Sequence, residues 1–228
     1  MKMTLIAAGL LLGELVFAEA DFGKIYAEAG KAAKAKDFAA AEAKYGEAAD
    51  AAKTSQQKCQ AILGKFQAIR AQKKTIDAEK FALKAVEEDE MLKNPEIRLI
   101  LNTIAGTLLW WPKRNDYAMT LLQQAQNCQC PKGSNVYYQT FYYMARLYNN
   151  KKQYQAAIEV LENNVLNVKE QHPANHYTSN MLCGGIYEKM GKKDEALNHY
   201  QAALESGKKV KYKFSYSPAE KAIERLSK

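Results

Sequence analysis

The side chains able to do chemistry are few and scattered in this 228-residue chain. His172 and His176 are four apart, the spacing that places two imidazoles on one helical face for a metal. Pro173, however, biases His172 away from helix, and no third ligand stands nearby, so no metal site is expected. Cys128 and Cys130 form a Cys-x-Cys pair with no companion pair at a zinc-binding spacing. Together with Cys59 and Cys183 they make four cysteines, which in an exported chain permit two disulfides with three possible pairings. Cys183 falls on the packing face of its segment and reads as a small buried hydrophobe. There is no Gly-x-Ser-x-Gly, no phosphate-binding loop and no carboxylate pair in an apolar setting. Gly184-Gly185 lacks the third glycine of a dinucleotide-binding turn. These absences argue against an enzyme, and no cofactor is expected.

The elements that carry these residues are helical. Ala, Lys, Glu, Gln and Leu are abundant, no long run is β-branched, and the five prolines fall at segment boundaries. At Cys183–Leu204, Gly184 and Tyr187 lie three apart, Gly191 can close a turn, and Ala196, Tyr200 and Ala203 follow at spacings of four and three. Ala41, Tyr45 and Ala48 repeat that triple. Small residues at this spacing let two helix backbones approach, and the tyrosines fill the space beside them.

This pattern resembles the tetratricopeptide repeat (TPR), a helix-turn-helix unit of roughly 34 residues. Taken along the chain, it predicts an all-α, TPR-like right-handed superhelical solenoid of about five units, at 22–53, 56–88, 95–126, 135–166 and 174–206, with a capping helix at 218–227. The second unit has Ala78, Ala82 and Ala85, and its turn lacks Gly. The third opens at Asn94-Pro95 with Asn94 as N-cap and is stopped by Pro112, but Thr120 and Gln124 stand where small and aromatic residues are expected. The fourth has Ala157 and Leu161. Aligned on Ala41, Ala78, Thr120, Ala157 and Ala196, the units are spaced 37, 42, 37 and 39 residues. Ser217-Pro218-Ala219-Glu220 has the form of a capping box.

The resemblance implies a binding scaffold rather than a catalyst, with the first helix of each unit lining a groove. Carried over by alignment, the groove residues are Tyr26, Lys34, Gln67, Arg70, Asn102, Leu109, Tyr142, Arg146, Asn149 and Met181. Their mixture of aromatics, amides and cations suits an extended peptide or protein segment. The carboxylate-clamping type of TPR is not matched, because the aligned places hold Tyr142, Arg146 and Met181. In the dense run from Tyr137 to Tyr148, Phe141 and Tyr148 are core by periodicity, while Tyr138, Tyr142 and Tyr143 would form an interaction patch if exposed together. An alternative use of such an aromatic surface is binding carbohydrate or cell wall.

Residues 1–20 read as a secretory signal. Lys2 gives the positive start, Leu5–Leu12 an apolar stretch too short to span a bilayer, and Ala18-Glu19-Ala20 a small-x-small cleavage site before Asp21. Glu14 is out of place in such a stretch. Removing the segment leaves 32 basic against 23 acidic residues, a net charge of +9. That favours anionic partners without selecting one. A periplasmic or secreted location follows, with no transmembrane segment in the mature chain. The basic, aromatic stretch Lys208–Tyr216 reads as a solvated linker, and no nucleic-acid partner is expected.

Overall fold

The structure, a computed structural model, describes residues 21–228; the expected signal lies outside the described residues. Eleven α-helices and no strand occur among those residues: α1 (residues 21–34), α2 (Phe38–Ala51), α3 (Ser55–Ala71), α4 (Thr75–Glu88), α5 (Asn94–Leu108), α6 (Asn115–Asn127), α7 (Asn135–Asn150), α8 (Tyr154–Leu161), α9 (Pro173–Lys189), α10 (Lys193–Lys208) and α11 (Ser217–Ser227). The chain is an all-helical repeat array of helix pairs. It divides into two compact units, the first ending at Ile100 and the second starting at Leu101, within α5. None of the described helices is long and apolar enough to cross a membrane.

Four turns within the pairs share one hydrogen-bond scheme. After α1, Lys36 N–H donates to Ala33 O and Asp37 N–H to Ala32 O, each at 3.0 Å. The same two bonds recur from Lys73 and Lys74, from Lys152 and Gln153, and from Gly191 and Lys192. This is the Schellman closure, which needs a left-handed residue just beyond the helix. Lys36, Lys73, Lys152 and Gly191 occupy it, with φ of 63°, 65°, 60° and 73°. Glycine is thus used once, and three lysines adopt a conformation that disfavours an L side chain. Asp37 then caps α2 by accepting from Ala40 N–H at 3.1 Å.

In the first unit, Ala41, Tyr45 and Ala48 of α2 are buried. One apolar cluster joins Phe22, Ala48, Ala52 and Ala61; another joins Ala29, Ala41, Tyr45 and Ala68. Gly64 of α3 lies under the Tyr45 ring, where a Cβ would come within 2.5 Å.

In the second unit, α9 and α10 pack in the same manner. A Cβ at Gly184 would stand 2.7 Å from Tyr200 Cε1. Tyr200 O–H donates to Glu188 Oε1 at 2.5 Å, and Arg225 of α11 grips both Glu188 oxygens at 2.7 and 2.8 Å. The last helix is therefore tied to the pair before it. It begins at Ser217, with no side-chain hydrogen bond at its start, so the expected capping box is not formed: Pro218 sits in the first turn and Ser217 is already helical. Lys208–Tyr216 is more than a solvated linker. Phe214 meets the Tyr177 ring edge-on at 4.9 Å between centroids, while the lysines point outward.

The alignment of the third unit changes. Thr120 and Gln124 are exposed, and Thr120 Oγ1–H donates back to Asp116 O at 3.2 Å. The buried triple is Ala118, Leu122 and Ala125, each fully buried, at the same spacings of four and three. Ala41, Ala78, Ala118, Ala157 and Ala196 then follow one another at 37, 40, 39 and 39 residues. The irregularity lies instead between α5 and α6, where Trp110 and Trp111 lead into a 3-10 turn at Pro112–Arg114 in place of the Schellman closure. A second irregularity is a π-helical turn, Glu162–Leu166, that continues α8.

Candidate functional site

The ten groove candidates divide between the two units. In the first unit, α1, α2 and α3 enclose an open cleft of about 570 Å³. Tyr26 and Tyr45 meet edge to face at 5.3 Å along it, Phe38 and Leu63 add apolar wall, and Gln60 and Gln67 supply amides. Gly64 lets the Tyr45 ring pack closely against α3 at the cleft wall, since a Cβ there would come within 2.5 Å of the ring. Burial raises the Tyr26 phenol above its ordinary range, with Tyr45 adding to the shift. Gln67 Oε1 accepts from Arg70 Nη1–H at 2.9 Å, and the Arg70 guanidinium lies 5.6 Å from the Phe66 ring centre. Of the four candidates here, Tyr26 and Gln67 line the cleft and Arg70 holds Gln67. Lys34 is exposed at the end of α1 and does not line it.

In the second unit, two candidates are internal. Asn102 is fully buried: its Nδ2–H donates to Val136 O at 2.9 Å, and its Oδ1 accepts from Thr140 at 3.0 Å. It bridges α5 to α7 and has no surface to offer a ligand. Leu109 is also buried, and its carbonyl accepts from Asn150 Nδ2–H at 3.3 Å. Asn102 is covered by α7 and Leu109 lies buried in the turn after α5, which alignment to a groove position could not reveal. Tyr138 is likewise buried rather than part of an exposed patch, stacked on Tyr142 at 5.3 Å, and burial raises its phenol.

What remains accessible is a strip along α7. Tyr142 and Tyr143 are half-buried with ring centres 6.1 Å apart, and Arg146 and Asn149 continue the same side. Gly106 of α5 makes room for Tyr143, since a Cβ there would stand 2.9 Å from the ring. Burial raises both phenols while Arg146 pulls them back. The Arg146 guanidinium lies 4.8 Å from the centre of the Trp110 ring, and Trp110 is 75% exposed. Asn149 Oδ1 accepts from Lys189 Nζ–H at 2.9 Å, and Met181 of α9 packs against the clusters around Tyr177 and Tyr200. The two tryptophans were legible as the end of a helix, but not as a surface.

The residues that first suggested chemistry are used structurally. His172 caps α9, its Nδ1 accepting from Ala174 N–H at 3.1 Å, and His176 Nε2 lies 3.2 Å from Val168 O. No group of three potential metal ligands occurs among the described residues. Cys59 and Cys183 are buried free thiols pushed up to about 12, chiefly by burial.

These features define a helical-repeat fold of the TPR class. The solved structure of YrrB, described as a TPR protein with an unusual peptide-binding site, superimposes with a TM-score of 0.50 at 18% identity. The match covers 81% of this chain and 86% of that one. No family model matches the sequence, and no curated protein matches it.

Proposed function

We propose that this chain is a non-enzymatic scaffold that binds a protein or peptide segment, exported to the periplasm or outside the cell. The observation that carries this is the cleft of the first unit. Its aromatic and aliphatic walls fit an apolar side chain, and Gln60 and Gln67 at its margin are suited to the backbone amides of an extended segment. A fold shared with a protein described as peptide-binding supports the same reading. Export rests on the pattern of residues 1–20.

The test is photo-crosslinking in the native cells from a reactive residue placed at Gln67, with exposed Lys192 as control. Protein adducts from position 67 alone are expected. Adducts to glycan, or identical adducts from both positions, would overturn the proposal. The mass of the purified adduct reports processing, and a mature chain starting at Asp21 is the expected form.

A further inference from the structure

We propose that the Trp110–Arg146 surface of the second unit is a separate recognition site for an acidic peptide, in which a carboxylate is taken by Arg146 and a neighbouring proline or aromatic ring by the indole. Only the peptide nature of the ligand rests on the scaffold reading; the site itself stands on its own geometry.

Arg146 has no carboxylate partner among the described residues. Its contact is with the Trp110 ring, 4.8 Å from the guanidinium carbon. A guanidinium stacked on an aromatic face keeps its N–H edge available, and that edge matches the two oxygens of a carboxylate. The stacking also fixes the long side chain, so less freedom is lost when a ligand binds. Acidic side chains on neighbouring turns are engaged elsewhere: Asp116 is bridged to Lys151, and Glu188 is held by Arg225. Lys189 is committed to Asn149, and the cation held against the indole is a planar fork.

Beside it stands an exposed indole, followed in the chain by a second. Trp110 is 75% exposed and Trp111 57% exposed. Trp, Tyr and Arg are the residues in which binding energy concentrates at interfaces, and here Trp110, Tyr142, Tyr143 and Arg146 make one strip. The strip is braced from beneath: Tyr143 rests on Gly106, Tyr142 on Tyr138, and Asn150 ties the end of α7 to Leu109. An aromatic platform with one oriented guanidinium suits a carboxylate followed by a flat or rigid ring.

The experiment is selection of displayed random heptapeptides on the full-length purified chain and, in parallel, on Arg146→Gln. The expected result is enrichment of Asp or Glu beside Pro or an aromatic on the wild type and its loss on the variant. The most enriched peptide is then titrated while tryptophan emission is read, because Trp110 is one of only two tryptophans in the chain. Arg146→Gln should weaken binding at least tenfold, Arg146→Lys partly, and Lys192→Gln not at all. Added salt should weaken the wild type more than Arg146→Gln. Enrichment without acidic residues, equal enrichment on both chains, or tryptophan quenching by chito-oligosaccharides but not by peptides would each overturn the proposal. Protein adducts from Gln67 would still be obtained in that case, so failure of this site is distinguishable from failure of the scaffold reading.

Discussion

Gly184 and Gly185 are adjacent in α9 and should respond to alanine in opposite directions. In an ordinary helix interior, Gly→Ala gains roughly 1 kcal/mol. At Gly185 nothing opposes this gain, since the nearest atom to a new Cβ is Tyr200 Oη at 3.7 Å, an ordinary contact. At Gly184 the Cβ would lie 2.7–2.9 Å from three carbons of the Tyr200 ring. That ring cannot swing aside. It is buried against Ala196 and Ala222, and its hydroxyl is anchored on Glu188, itself gripped by Arg225. Overpacking of this kind costs about 1–3 kcal/mol. After the helix gain, Gly184→Ala should therefore lie between neutral and about 2 kcal/mol destabilising, and the two variants should differ by about 1–3 kcal/mol.

For a chain of this length each kcal/mol moves the midpoint by roughly 2–4 °C. Circular dichroism melts of the two variants, run beside the wild type, read the difference directly. A Tyr200→Leu background provides the check: with the ring gone, Gly184→Ala should become neutral or stabilising, a coupling of about 1–3 kcal/mol. Equal melting temperatures for Gly184→Ala and Gly185→Ala would refute the claim that the tyrosine–glycine contact sets the approach of the two helices.

Three further outcomes are expected. Lys73→Gly and Lys152→Gly should each raise stability by up to about 1 kcal/mol, since left-handed backbone disfavours an L residue by roughly 1–2 kcal/mol and glycine's extra chain entropy removes part of the gain; Gly191→Ala should move the other way, and urea midpoints will decide. Ala196→Leu, at a fully buried contact, should destabilise by about 1–3 kcal/mol, and an unchanged melting temperature would contradict the repeat register. The hydrogen bond from Arg225, aided by Tyr200, lowers the Glu188 carboxyl below its ordinary 4.5. Its contribution is therefore present above that value and lost as pH falls through the lowered one, so Glu188→Gln should flatten the acid limb of a pH–stability curve.

How much of this was legible follows from what a sequence can display. Ala41-Tyr45-Ala48 and Ala196-Tyr200-Ala203 are read easily because the contact depends on residue size at helical spacing. Ala118-Leu122-Ala125 has the same spacing and was passed over because an aromatic was sought in the middle, although a leucine fills that space as well. The turn at Lys73, in the second repeat, is read as lacking glycine, but the closure it shares with the turn at Lys152 is not legible, because what they share is a backbone angle and not a side chain. Among the candidate residues chosen by alignment alone, Tyr26 and Gln67 line the first unit's cleft. Asn102 and Leu109, chosen the same way, are buried, because alignment carries a position but not what packs over it. The exposure of Trp110 and Trp111 came from the 3-10 turn at Pro112, a departure from the repeat that the repeat pattern has no way to express.

The two buried thiols supply clocks. Thiolate is the reactive form, and Cys59 and Cys183, each pushed up to about 12, present almost none of it to solvent in the native state. A thiol reagent should therefore modify them only when the surrounding helices part. Cys59 lies in the unit that ends at Ile100 and Cys183 in the one that starts at Leu101. With Cys128 and Cys130 replaced by serine, the two labelling rates time the opening of each unit without any introduced probe. A common rate would mean the repeats open in concert; separate rates would mean that one half of the array can open while the other stays shut.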